Sequence, residues 1–478
     1  MIDVTLFNNV KWVACSQIVK ILSQLIGMVV FSRFLTPVDF GIMSMALVVV
    51  NFANIIRDLG ASSAIIQKKN ISQELISSVF FMNVIFGILL FLCVFLASPY
   101  IAYFFKENKL VSVLILIALS FPVNSVTSIH LSLLERESKF NTIAKIEILS
   151  SLSALIVAIF ISYYGGGVYS LVCQTLVYSI LSAIGFSLSS RWLPSLFFSL
   201  KEIQSIFSFT SNLISFNFVN YFSRNSDQII IGRTFSPAIL GQYSLAYRIM
   251  LFPIQNITFV LTRSLYPLLS RSQDEKKESL SLYLHVIKTI ILIIPPLMLG
   301  LSSLSKEFVL LVFGEKWIPI SQLITVLAPI AILQSLVSTT GAVFMSQGKT
   351  NLLFRISIFN AILQIGSFIV GSFYNIDILI KLYLIANIII FVPNMLLAIR
   401  ILGGRWKDLL LIIYKPLIAS IIMYFVILFC KSIVYLEIPT LTFRLVCYIF
   451  WGLFIYVSCL CILERKSIFS ILRELTKK

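Results

Sequence analysis

The sequence predicts an all-α polytopic membrane protein of about fourteen transmembrane helices: two pseudo-symmetric six-helix lobes plus two extra C-terminal helices. Three observations carry this reading. Hydrophobic residues make up 59% of the 478 and charged residues only 12%, whereas the wetted surface of a soluble protein needs roughly 25%. The apolar residues come in successive runs of about 20, the length that crosses a hydrocarbon core of about 30 Å. The basic residues alternate between loops instead of scattering.

Taken in order, the first run covers 10–34 and carries Lys20 and Gln24. It is too long for the apolar part of a signal peptide and no small-residue cleavage pattern follows, so the segment is expected to be retained. Spans at 40–60, 75–98, 110–131, 143–164 and 167–189 complete a first set of six. A second set covers 203–230, 238–266, 280–302, 320–345, 353–374 and 378–400, and two further runs lie at 409–430 and 443–463. Pro122, Pro253, Pro295, Pro296, Pro329, Pro393 and Pro416 interrupt spans, which membrane helices tolerate where neighbours or water satisfy the freed carbonyls.

With the N-terminus inside, twenty-two of the 37 Lys and Arg residues fall on the cytoplasmic side and nine on the other. An even number of spans with both ends cytoplasmic therefore satisfies the positive-inside rule and predicts a multi-pass protein of the bacterial inner membrane. The formal net charge of +17 follows from topology and anionic lipid headgroups; the lipid bilayer is the implied partner and nucleic acid is not.

An internal repeat sets the organisation. Ser32-Arg33-Phe34-Leu35-Thr36-Pro37-Val38-Asp39-Phe40-Gly41 is matched 200 residues later by Gly232-Arg233-Thr234-Phe235-Ser236-Pro237-Ala238-Ile239-Leu240-Gly241. Ser44 and Ala46 follow the first copy, Ser244 and Ala246 the second. The chain thus divides into a six-helix lobe over 1–200, a second over 201–405, and two added helices with a basic tail over 406–478. Six spans per half is even, so the repeats share one orientation and two lobes are expected to rock about a central cavity.

A charge inside hydrocarbon costs about 2.5–3.5 kcal/mol on insertion scales, so each intramembrane polar residue needs a reason. Lys20 has Gln17 and Gln24 beside it on the wheel. The second span carries Asn51, Asn54 and Asp58 on one face, and the seventh carries Asn217, Asn220, Arg224 and Asp227. The eighth carries Ser244, Arg248, Gln255, Thr258 and Thr262 as one stripe, with Arg263 further on. These are the first two helices of each half, and they are expected to line the cavity. Lys20, Arg57, Arg224, Arg248 and Arg263 outnumber Asp58 and Asp227, a balance suited to a phosphate or pyrophosphate headgroup. The competing reading for Arg224 is a neutralising pair with Asp227, and for Arg248 an interhelical lock. Asp227 and Asp58 are the candidates for ion coupling. Glu147 and Lys288, close to span ends, read as interfacial.

Nothing in the sequence calls for a cofactor. There is no phosphate-cradling glycine loop of the Walker type, the seven cysteines form no CxxC pair, and His130 and His285 lack partners at metal-ligand spacing. No loop is large enough for a catalytic domain, so a transporter is expected instead of an enzyme.

Phe31 to Gly41 continuing into Asp58-Leu59-Gly60-Ala61-Ser62-Ser63 resembles the opening of the polysaccharide transporter family, which includes the O-antigen flippases. Asp227 to Arg233, Gly241 to Arg248 and Tyr266-Pro267 resemble its second-half signature, and Gly165-Gly166-Gly167-Val168-Tyr169 its glycine-aromatic turn. The resemblance implies the MATE/MurJ-like fold of the multidrug/oligosaccharidyl-lipid/polysaccharide exporter superfamily. It implies flipping of an undecaprenyl-pyrophosphate-linked oligosaccharide from the cytoplasmic to the periplasmic leaflet, with a polysaccharide polymerase and chain-length regulator as partners. Ala246-Tyr247-Arg248 followed by Pro253 is similar to the eighth helix of the lipid II flippase branch, which makes Arg248 the leading headgroup ligand. That branch has an arginine-rich first helix where this chain has Lys20. The alternative is a multidrug or cation antiporter of the same superfamily; a membrane-embedded polysaccharide polymerase or ligase fits the short loops less well.

Overall fold

A computed structural model describes residues 2–57, 65, 71–195, 197–199, 221–222, 224–433 and 440–463. Thirteen helices among them are long and apolar enough to cross a membrane, and no strand occurs among the described residues. The seventh expected span, 203–230, lies largely outside them; the other thirteen expected spans each coincide with one of these helices.

The chain forms two compact units, Met1–Gly241 and Gln242–Lys478. In the first, α1 (Ile2–Phe34), α2 (Pro37–Arg57), α3 (Gln73–Phe105), α4 (Lys109–Ala118), α5 (Ser120–Arg136), α6 (Phe140–Tyr163) and α7 (Val168–Ser190) follow in order. Helix α6 packs between α1 and α7, and α5 between α3 and α7. Polarity is inverted relative to a soluble protein. Ser77, Ser78, Ser98, Ser125, Ser132 and Ser150 are buried between helices, while Leu96, Ile156 and Phe160 are exposed. Small hydroxyl residues let backbones approach, and some satisfy their proton locally, as Ser132 does by donating to the Ser128 carbonyl at 2.8 Å. Exposed Phe34, Tyr103, Tyr163 and Tyr164 gather at the ends of α1, α3 and α6, where amphipathic rings suit a membrane–water boundary.

The repeated Pro–Gly segments meet inside the first unit. A Cβ built on Gly41 would overlap the Pro237 carbonyl, and one on Gly241 would overlap the Pro37 carbonyl and lie 2.8 Å from the Gly41 nitrogen. The contact is reciprocal, as two related segments meeting about a local two-fold require, and each glycine stands where no side chain fits. Asp39 fixes the first copy. Its Oδ2 accepts from the Thr36 nitrogen at 2.9 Å and the Thr36 hydroxyl at 2.7 Å, and Oδ1 accepts from the Val168 nitrogen at 3.1 Å. A carboxylate at the first turn of α7 complements that helix's unpaired N–H groups. Gly167, at φ +52, makes this approach with no Cβ in the way. The second copy has Ile239 at the corresponding position.

The second unit holds most of α8 (Pro237–Pro253), a π-helical turn (Ile254–Thr258) and α9 (Phe259–Arg271). It continues through α10 (Lys276–Ser303), α11 (Ser305–Val312), α12 (Ile320–Val337), α13 (Thr340–Ser346), α14 (Thr350–Ser372) and α15 (Ile376–Ile401). The two added helices are α16 (Trp406–Ile433) and α17 (Leu441–Leu463), and α16 packs along α10. Amide side chains tie its core. Gln334 Nε2 donates to the Tyr383 hydroxyl at 2.6 Å and to Asn387 at 3.1 Å, and Asn394 donates to Asn360 at 2.9 Å. The added pair is anchored by Lys431, whose ammonium lies 2.9 Å from Glu307 and donates to the Ser303 carbonyl at 2.9 Å. Tyr456 adds a bond to the Leu292 carbonyl at 2.8 Å.

Candidate functional site

Helix α1 separates into three faces. Ser16, Ser23 and Gly27 are buried along the α6 seam, where a Cβ on Gly27 would stand 3.1 Å from Leu155. Ile18, Leu22 and Ile26 form an exposed apolar face. Between them Gln17 and Gln24 are exposed and Lys20 is half-buried. Two amides and an ammonium facing lipid tails would go unsatisfied, so this third face suits water or a polar ligand. The Lys20 ammonium sits 2.6 Å from the Glu147 carboxylate of α6. Glu147, expected at a span end, therefore lies two turns inside its helix with a partner.

On α2, Asn51 is exposed, and Asn54 and Arg57 are half-buried; Arg57 takes part in further interactions. The sequence places these residues and the 221–227 segment far apart, and aromatic packing brings them together. The Tyr221 hydroxyl donates to the Val48 carbonyl of α2, and Phe52 packs on Tyr221 and Phe222 at 5.7 and 5.2 Å between ring centroids. On the helical stretch that follows, Arg224 is exposed and Asp227 buried at 3% exposure. Asp58, Asn217 and Asn220 lie outside the described residues.

In the second unit the expected single stripe on the eighth span is divided. Arg248, Gln255 and Arg263 are exposed, whereas Ser244 and Thr258 are buried. Ser244 and Arg248 already differ on the α-helix before Pro253, and a π-helical turn shifts the positions after it. The Phe259 N–H reaches back five residues to the Ile254 carbonyl, so one extra residue enters the turn and the side chains beyond it are rotated by about 100° relative to an uninterrupted α-helix. Pro253, which has no N–H to donate, precedes the turn, and Asn256 donates its side-chain amide to the Phe252 carbonyl at 2.8 Å. Arg248 keeps an exposed side chain on an otherwise apolar helix.

Tyr221, Phe52 and Asn256 were not singled out from the sequence, and Glu147 was read there only as interfacial. A lysine and glutamate on α1 and α6, more than a hundred residues apart, leave no spacing signal. The π turn had a partial one in Pro253. What the residues offer chemically is accessible guanidinium groups on otherwise apolar helices, a setting that binds phosphate through paired, charge-assisted hydrogen bonds.

The chain resembles known proteins in sequence and in fold. The chain is 29% identical to the teichuronic acid biosynthesis protein TuaB of Bacillus subtilis over 73% of each chain. It is 26% identical to the lipopolysaccharide biosynthesis protein WzxC of Escherichia coli, covering 87% of this chain and 85% of that one. The fold is shared with a solved structure of the lipid II flippase MurJ in its inward closed conformation, at a TM-score of 0.76 and 17% identity over 96% of this chain and all of that one. The profile of the polysaccharide biosynthesis protein family matches residues 30–322, well over half of the 478, and the chain belongs to that family.

Proposed function

We propose that this multi-pass membrane protein is a transporter that flips an undecaprenyl-pyrophosphate-linked oligosaccharide, the repeat unit of an O-antigen or exopolysaccharide, from the cytoplasmic to the periplasmic leaflet by alternating access. Both chain ends are cytoplasmic in this reading. The observation that carries it is the exposure of Arg224, and of Arg248 and Arg263 on a long apolar span, in a family whose members are named for polysaccharide biosynthesis. An intramembrane guanidinium is retained only where it has water, a counter-charge or a ligand.

Arg248 and Arg224 hold the pyrophosphate, which Arg forks bidentately; Lys20, Arg57 and Arg263 extend the cationic path. Gln24, Asn51, Asn54 and Gln255 give the glycan hydrogen-bonding partners, and Asp227, buried one turn from Arg224, is the candidate for ion coupling. Deleting the gene tests the reading. Lipid-linked oligosaccharide accumulates on the inner leaflet and surface polysaccharide is lost, and both are restored by the wild-type gene but not by Arg248→Ala at equal protein level. Unchanged surface polysaccharide together with a loss of cationic-dye export contradicts it and favours the multidrug antiporter.

A further inference from the structure

One ion pair in the first unit joins two membrane-spanning helices. Lys20 of α1 and Glu147 of α6 meet at 2.6 Å, with side chains 32% and 19% exposed. Glu147 lies seven residues into α6, about 10 Å along the helix axis, on the flank of the polar face formed by Gln17, Lys20 and Gln24. The pair is thus not sealed in a helix seam. It borders the surface that a polar ligand would use.

The groups around Glu147 make the pair asymmetric. From α5 the Glu135 carboxylate is within electrostatic reach, and from α7 the Tyr178 hydroxyl. Neighbouring cations are engaged elsewhere. Lys145, on the same helix, lies over the Trp12 ring at 5.7 Å, and Arg136 donates to the Ile65 carbonyl at 2.7 Å. His130 is bonded to Ser190 at 2.7 Å, and Lys139 pairs with Glu137 at 2.5 Å. Among the described residues, Lys20 is the cation that neutralises Glu147. If Lys20 moves to another anion, a carboxylate remains in a membrane helix beside a second carboxylate, and such a group takes up a proton.

We propose that Glu147 is a resident counter-ion that stands in for the substrate's phosphate when the protein is empty, and that the arriving anionic headgroup displaces it from Lys20. The proposal rests on the function argued above and adds to it a residue and a rule. In the empty protein, Lys20 and Glu147 cancel, so no bare charge is carried through the membrane during the return step. In the loaded protein, the Lys20 ammonium keeps its protons and pairs with phosphate, while a Glu147 carboxylate oxygen binds one proton taken from water. Loading is therefore linked to the uptake of one proton, and Glu147 competes with the ligand.

The experiment measures binding of undecaprenyl pyrophosphate to the purified full-length protein in detergent between pH 6 and 8. Wild type, Glu147→Gln and Lys20→Gln are compared, so that the lipid's own ionisation is common to all. Wild-type affinity rises as pH falls. Glu147→Gln binds at least tenfold tighter than wild type at pH 8 and loses the protein-dependent part of the pH slope, and Lys20→Gln binds at least tenfold weaker than Glu147→Gln. Glu147→Gln binding no tighter than wild type, with the same slope, overturns the exchange. Should either single variant fail to fold, the apolar pair Lys20→Met/Glu147→Leu is the second test, because replacing both members of a buried ion pair is commonly tolerated. Weak binding without the extra slope supports the proposal, and wild-type binding with the wild-type slope means the pair only joins α1 to α6. No binding of the lipid by the wild type, at any pH, removes the flippase reading itself; binding with an unaltered Glu147→Gln removes the counter-ion alone.

Discussion

The Gly41–Gly241 crossing makes a quantitative demand on the fold. In Gly41→Ala the new methyl would stand 2.6 Å from the Pro237 carbonyl carbon and 3.1 Å from its Cα, where ordinary contact begins at about 3.5 Å. The obstacle is backbone, with the Pro237 carbonyl oxygen nearer still, so no side chain can swing away and the two helix starts must separate by more than about 1 Å. Overpacking against backbone this close costs about 3 kcal/mol, the upper end of the usual range, against which the helix-propensity gain of Ala over Gly returns about 0.5–1 kcal/mol, leaving a net loss of about 2–2.5 kcal/mol. Gly366→Ala is the control, since nothing lies within 4 Å of the added methyl and only the propensity gain remains. Reciprocity predicts more. Once either methyl has opened the crossing, the second meets less resistance, so Gly41→Ala/Gly241→Ala loses less than the sum of the single variants, as coupled neighbours do. Thermal unfolding of the detergent-solubilised protein is the assay. A Gly41→Ala protein as stable as wild type, or strictly additive losses, would refute the close approach.

Two other expectations follow from named contacts. Lys431→Met strands Glu307, only 16% exposed, and should destabilise the protein by up to about 3–5 kcal/mol, while Lys431→Met/Glu307→Leu recovers most of the loss; the unfolding midpoint reports both. Asn394→Leu removes the partner of Asn360 and should cost about 0.6 kcal/mol and at most about 1.7, the average and maximum for side-chain hydrogen bonds between membrane helices, with Asn360→Leu adding little on top of it in the double variant.

The sequence made some of this legible and not the rest, for physical reasons. Spans are legible because the bilayer demands a fixed run of apolar residues whatever the tertiary contacts, and the Arg33–Gly41 and Arg233–Gly241 repeat is legible because both copies solve the same steric problem with Pro and Gly. Asp39 holding the start of α7 was not visible, since it joins residues 129 apart. The stripe from Ser244 to Thr262 was drawn with a constant α-helical period, and the π turn at Ile254–Thr258 breaks that period for the residues beyond it. Glu147 was assigned to the interface by its distance from a span end. Its partner on α1 holds it instead, and charge pairing between distant helices has no local sequence pattern.

The account turns on whether Arg248 and its neighbours handle a pyrophosphate-linked glycan. The direct measurement is translocation of a fluorescent undecaprenyl-pyrophosphate oligosaccharide in liposomes containing the purified protein, read as the fraction of label reaching the opposite leaflet. Wild type moves the lipid and Arg248→Ala, inserted at the same density, leaves it where it started. Equal transfer by both proteins, or none by the wild type, would contradict the account.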